Sequence, residues 1–347
     1  MSRGVRRAWT WLRGAGPHFP FAKTRMGPFS PASREREEQD RAPLPSLSRE
    51  AGEKGPVRRP CGGWQVRAGA ALALGLALLA TPLHAETPAK PQRIVSLNVC
   101  VDQLLLLLVD HRRIAALTQF ATDPDWSNMP REARGFRTTH GRAEEVMPLM
   151  PDLVIGGEYS APETIALLRR VGQRVEVMRL ANSIVGVRAG MRWMGKTVGE
   201  EDKAEAMVAE LDRRLAAVAA RIPPGPRPVL AFYNTSGYTA EPGTLADDVI
   251  RLAGFENLAG KFRLRIGGRL NLEQLATERI DALIAIDTAE TSASRAVETV
   301  QHPALARLAA MKPFAAIPGR LWTCETPFVA EAAERLARLR AETERRR

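Results

Sequence analysis

Aromatic residues are scarce in this 347-residue chain, at 5%, and it has only five histidines and three cysteines. Its uncharged apolar stretch Ala68–Ala80 is 13 residues long, well short of the roughly 20 that cross a bilayer as a helix. The motifs of common enzymes are missing too. No GxGxxG follows a strand, and there is no Walker A, GxSxG or HExxH pattern. His111, His140 and His302 are too far apart to form a metal pair, which argues against a bare zinc or manganese site. The expectation is a protein that is not an enzyme and has no metal site or resident cofactor of its own.

The formal net charge is +11, which by itself would suit a nucleic-acid partner. Its distribution says otherwise: residues 1–67 hold 14 Lys+Arg against 6 Asp+Glu, and the remainder holds 36 against 33. The globular part therefore has no basic footprint, and no nucleic-acid partner is expected. Arg67, the apolar run Ala68–Ala80 and the sequence Thr81-Pro82-Leu83-His84-Ala85 together read as a secretory signal peptide over residues 66–85. A mature chain should begin near Glu86. Residues 1–65 are rich in Arg, Pro, Gly and Ser without apolar periodicity, so a disordered tail is expected there. Val66, read from an alternative start codon, would be a natural initiator. Cleavage would remove Cys61 and leave Cys100 and Cys324 as an even pair in an oxidising compartment.

Downstream, short apolar segments alternate with helical ones. Arg93–Asn98, Ile114–Leu117, Asp152–Gly156 and Val175–Met178 read as buried strands, with helices at Val101–Val109, Ala143–Met150 and Glu163–Val171. That alternation implies a parallel sheet covered on both faces. From Ser183 to Ile222 the apolar residues step by three and four, through Val187, Met191, Met194 and Val198, then Val208, Leu211, Leu215 and Val218. Gly195 and Gly199 predict a kink or break near Thr197. Glu200–Ile222 should be one helix of about 34 Å, long enough to lie across two domains. A second α/β unit follows: strands at Val229–Tyr233, Asp281–Ile286 and Arg320–Thr323, and helices at Leu245–Ala253, Leu272–Ala276 and Phe328–Leu339.

The two units look like copies. Glu144 precedes the strand beginning at Asp152 by eight residues, Glu273 precedes the strand beginning at Asp281 by eight, and both pairs are offset by 129. The expected architecture is α/β, with two doubly wound, Rossmann-like lobes joined by a long α-helix. The expected divisions are an N-terminal lobe at 92–182, a linking helical region at 183–222 and a C-terminal lobe at 227–340.

The stretches RIVSLNVCVDQLLLLL, HGRAEEVMPLMPDLVIGG, GTLADDVIRLAGFENLAG and LNLEQLATERIDALIAI, with the long middle helix, resemble the helical-backbone class of periplasmic binding proteins. The resemblance covers residues 92–340. It implies a periplasmic, monomeric substrate-binding protein of an ABC importer for an iron chelate (siderophore or haem) or cobalamin. It also implies a ligand cleft between the lobes and docking on an inner-membrane permease and ATPase complex. In that family an acidic residue on each lobe meets the permease. Glu144 or Glu163 in lobe one, and Glu273 in lobe two, are the candidates. Two other readings remain open: a secreted chelate-modifying enzyme on the same fold, which would need a clustered nucleophile and base, and a non-transport binding or signalling module.

Ligands of open α/β sheets bind outside the carboxyl ends of the strands. That rule selects Asn98, Cys100, Asp102, Trp126, His140, Tyr159, Tyr238, Arg263, Arg265 and Cys324 as candidate cleft residues. Trp126, Tyr159 and Tyr238 would suit a large planar ligand, or simply pack at a rim. Lys261, Arg263, Arg265 and Arg269 would attract an anionic chelate, or form a solvated face. His140 could be an axial ligand to iron or cobalt, or make a loop hydrogen bond. For Cys100 and Cys324 three readings stand: a disulfide tying the lobes, thiols touching the ligand, or unrelated buried residues.

Overall fold

The computed structural model describes residues 90–346 apart from 263, 265, 266 and 287–301. The expected tail at 1–65, the signal peptide at 66–85, and Arg263 and Arg265 lie outside the described residues.

Strand β1 (Ile94–Ser96) is buried along its whole length, as a central strand of a sheet covered on both faces must be. It lies between β2 (Ile114–Thr118) and β4 (Leu153–Gly157), with β3 (Thr138–Thr139) and β5 (Val175–Met178) at the edges, in the order β3-β2-β1-β4-β5. Every pairing in this sheet is parallel. Helix α1 (Val99–Leu108) starts directly after β1, where the Asn98 side chain accepts the Cys100 amide at 2.8 Å. Helices α2 (Ala143–Val146) and α3 (Pro162–Arg170) flank β4.

The second sheet has the order β7-β6-β8-β9, again all parallel. Its strands are β6 (Val229–Phe232), β7 (Glu256–Asn257), β8 (Ala282–Ile286) and β9 (Phe314–Ile317). The order matches β2-β1-β4-β5 of the first sheet position by position, so the two lobes share one winding. The residues that betrayed the repeat have the same job in both. The Asp152 carboxylate accepts the Arg93 amide at 2.9 Å just ahead of β1, and that of Asp281 accepts the Val229 amide at 2.8 Å at the start of β6. Each fixes the entry of its lobe's central strand against the strand beside it.

Between the lobes lie α4 (Ile184–Val198) and α5 (Glu201–Ala219). The expected break falls at Gly199, which takes the left-handed conformation at φ 72° and ends α4. The chain then reverses, and α5 runs antiparallel to α4, with Arg192 paired to Glu205 and Arg188 to Asp212. Gly195 allows the close approach: a Cβ there would lie 2.4 Å from that of Ala204. Helix α5, about 28 Å long, reaches both lobes. Lys203 near its start donates to the Leu108 carbonyl of α1, and Arg214 pairs with Glu334 of α10 (Val329–Arg345).

One expected strand is a helix. Arg320–Thr323 forms the single turn α9, and the outer strand of lobe two is β9, which the sequence reading missed. Pro318-Gly319 breaks the extended run. The Gly319 carbonyl then accepts the amides of Trp322 and Thr323 and the Thr323 hydroxyl, closing a helical turn. Trp322 is buried by packing edge-on against Phe232 at 5.5 Å instead of by pairing in a sheet. The remaining α-helices of lobe two among the described residues are α6 (Leu245–Leu252), α7 (Leu272–Thr277) and α8 (Pro303–Met311). No helix among the described residues is long and apolar enough to cross a membrane.

Candidate functional site

The carboxyl ends of β1–β5 open onto one edge of lobe one. Phe120 and Trp126, just past β2, are both exposed with ring centroids 5.7 Å apart. Tyr159, in the turn after β4, is 81% exposed and so offers nearly its whole ring to solvent. In lobe two Tyr238 follows β6. Arg269 stacks over its ring at 4.4 Å and donates to its hydroxyl at 2.7 Å, an arrangement fixed by a bridge between the two backbones. Lys261 is paired with Glu278 at 3.1 Å. Two cations of the expected basic cluster are therefore already engaged.

Other candidates have structural duties. Asn98 caps α1. Asp102 is 0% exposed and accepts from the Thr118 amide at 3.1 Å and the Thr118 hydroxyl at 2.5 Å, so it ties α1 to β2 and has no surface to offer a ligand. Burial pushes its pKa up to about 6, against hydrogen bonds from Ser96 and Thr118 that pull it down. His140 makes the loop hydrogen bonds: its amide donates to Glu145 at 2.7 Å, and its Nδ1 lies 3.0 Å from the other oxygen of that carboxylate. The amide bond is the main cause that holds the Glu145 carboxyl below its ordinary range.

Cys100 and Cys324 form a disulfide, with Cα atoms 5.1 Å apart and a sequence separation of 224. The reading as free thiols on a ligand falls. So does the expected position of Cys324 at a strand end, because it follows helix α9. Cys100 is 8% and Cys324 1% exposed, within an apolar cluster that runs through both lobes. The bond is a tie between lobes. A polar bridge lies beside it: Gln103 accepts from Asn128, and the Asn128 side chain donates to the Arg320 carbonyl at 2.8 Å.

Sequence reasoning also missed the contacts that hold the segment between β5 and α4. Leu180 donates its amide to Glu158 at 3.0 Å, Ala181 to Glu325 at 2.6 Å and Ile184 to Asp248 at 2.8 Å. Glu325 and Asp248 reach across from lobe two. A cavity of about 410 Å³ adjoins Asp248, lined also by Ala181, Asn182, Ser183 and Thr244. A carboxylate beside a strand–helix junction is too common in sequences to have flagged these residues. Asp247 is buried and accepts from Asn257 and Arg251. Among the described residues no group of three or more His, Cys, Asp or Glu could hold a metal ion.

Two all-parallel lobes with matching strand order, joined by long helices, make a bilobed binding-protein fold. The chain belongs to the periplasmic binding protein family, whose profile matches residues 94–313. That membership puts it outside the cytoplasm, where a disulfide persists. It is 31% identical over 173 residues to the "Cobalamin-binding protein" of Halobacterium salinarum, a match that covers 49% of this chain and 47% of that one. The chain thus matches about half the length of its curated relatives. Among solved structures it is similar to the periplasmic haem-binding protein RhuT from Roseiflexus sp. RS-1 (TM-score 0.59, 22% identity, 73% of this chain and 98% of that one). It is also similar to the vitamin B12 binding protein BtuF of Vibrio cholerae (TM-score 0.56, 14% identity, 74% and 98%). Identities that low establish the fold alone.

Proposed function

We propose that the protein is the substrate-binding component of an ABC importer and that its ligand is a corrinoid of the cobalamin class. The observation that carries this reading is the 31% identity to relatives named as cobalamin-binding. The exposed rings of Trp126, Tyr159 and Tyr238 at strand ends of the two lobes support it, since they offer flat apolar faces to a large macrocycle. The engagement of Lys261 and Arg269 by Glu278 and Tyr238 favours a nearly neutral corrinoid over an anionic iron chelate. His140, oriented through Nδ1 by Glu145, is the candidate to approach the metal of the chelate. The test is titration of tryptophan fluorescence with cyanocobalamin, haemin and a ferric siderophore in parallel. Saturable binding of cyanocobalamin, weakened at least tenfold by Trp126→Ala, is the expected result. Tight binding of haemin or the siderophore alone would replace the ligand assignment.

The importer partner is proposed to meet the first turns of the short helices before β4 and β8. Glu144 and Glu273 occupy equivalent, exposed places there, and Glu163 opens α3 on the same edge. Reversing the charge at Glu144 and Glu273 should impair uptake while leaving ligand affinity unchanged. Normal uptake by the Glu273→Lys protein would remove that assignment.

A further inference from the structure

The segment from Met178 to Ile184 is where lobe one passes into the linking helices, and carboxylates hold it from both lobes. Glu158, in the turn that carries Tyr159, takes the Leu180 amide; Glu325, next to the disulfide on lobe two, takes the neighbouring Ala181 amide. Glu325 is only 2% exposed, and its Cβ would meet a side chain at Gly190 of α4 at 3.3 Å. The carboxylate can be solvated only if the lobes part here.

We propose that Glu325 and Glu158 form a two-carboxylate clamp on neighbouring amides of the interlobe segment, with Glu325 a positioning residue that makes lobe opening, and hence ligand release, depend on pH. The ligand arm of this proposal rests on the solute-binding reading; the clamp itself does not. Burial raises the pKa of Glu325 above its ordinary value, and the charge of Glu158 raises it further, against the pull of the Ala181 amide. The charged groups of the surrounding elements include Arg179, exposed in the segment itself. Arg188 and Arg192 of α4 pair with Asp212 and Glu205, Glu331 of α10 with Arg335, and Asp248 of α6 accepts from Ile184; Arg320 opens α9.

The direction follows. In the closed arrangement Glu325 holds its proton more tightly than it would when solvated, so protonation favours closure. Raising the pH through the closed-state pKa favours opening. One proton gives at most a tenfold change in the open-to-closed ratio per pH unit. The disulfide one residue away leaves a pivot there, so the motion is a change of angle and not a separation.

The experiment measures two quantities on the oxidised full chain from about pH 5 to about pH 8. One is hydrogen exchange at the Leu180 and Ala181 amides, corrected for intrinsic rate; the other is the dissociation rate of cyanocobalamin. In wild type, opening of the amides and ligand release should both increase with pH, severalfold across the range. Glu325→Gln keeps an acceptor for Ala181 without the charge, and should give slow, pH-independent values. Glu158→Gln should move the transition to lower pH. The same pH profile in wild type and Glu325→Gln, in either readout, would overturn the proposal, as would an unmoved transition in Glu158→Gln. If cyanocobalamin does not bind at all, the ligand assignment fails while the amide measurement still decides the clamp.

Discussion

Replacing both Cys100 and Cys324 by alanine should lower the unfolding free energy by about 5 kcal/mol. The bond spans 224 residues, and closing a loop of that length removes about 18 cal/mol/K from the unfolded ensemble, roughly 5 kcal/mol at 25 °C. On the folded side, both cysteines lie in the apolar cluster shared by the lobes. The lobes remain joined by the α4–α5 hairpin and by the Gln103–Asn128–Arg320 bridge, so the double variant should still fold. Urea unfolding of the oxidised wild type, of the same protein under reductant and of the variant gives the comparison. The variant and the reduced wild type should agree with each other and fall well below the oxidised protein. Thiol titration in denaturant should find one thiol per full chain, that of Cys61, before reduction and three after it. A loss below about 1 kcal/mol would refute the reasoning, because it would mean that the unfolded chain already keeps its lobes together without the bond.

Two further perturbations follow from buried charges. Asp102, with a pKa pushed from 3.8 to about 6, binds its proton more tightly in the folded protein than in the unfolded chain. Its contribution is therefore most favourable below the unfolded value and is lost as the pH rises through about 6, at a cost of roughly 3 kcal/mol; Asp102→Asn should remove that slope, and an identical slope in both proteins would contradict it. Arg113 is buried and donates to the carbonyls of Pro91 and Val198 and to Glu200 at 2.6 Å. Arg113→Ala leaves the two carbonyls without that donor, while Glu200 keeps Lys90 and Lys203, and should cost about 2 to 4 kcal/mol in urea unfolding; a change within experimental error would show that water replaces the guanidinium there.

Most of the fold was legible because its signals are local. Strands such as Leu153–Gly157 are buried on both faces and read as continuous apolar runs, and the steps of three and four after Ser183 have one helical reading. The 129-residue offset announced a duplicated lobe, and Asp152 and Asp281 prove to have the same duty in each copy. Failures came where local and tertiary preferences compete. Arg320–Thr323 has the side chains of a strand, yet Pro318-Gly319 and the packing of Trp322 on Phe232 make it a helical turn. Four-residue β9 carried too little pattern to be recognised.

The site divides in the same way. Which residues stand at strand ends follows from chain order alone, so Trp126, Tyr159 and Tyr238 could be named in advance. Whether a side chain there points to solvent or inward is set by contacts between segments distant in sequence. Asp102 turns in to Thr118, Arg269 lies over Tyr238, and Glu325 crosses to Ala181. The pairing of Cys100 with Cys324 is of this kind too: the even count allowed a bond, but only the meeting of α1 with the turn after α9 brings the two Cα atoms to 5.1 Å. Sequence determines the elements through short-range periodicity and caps; partners 16 to 224 residues apart are chosen by how the segments pack, which no local pattern encodes.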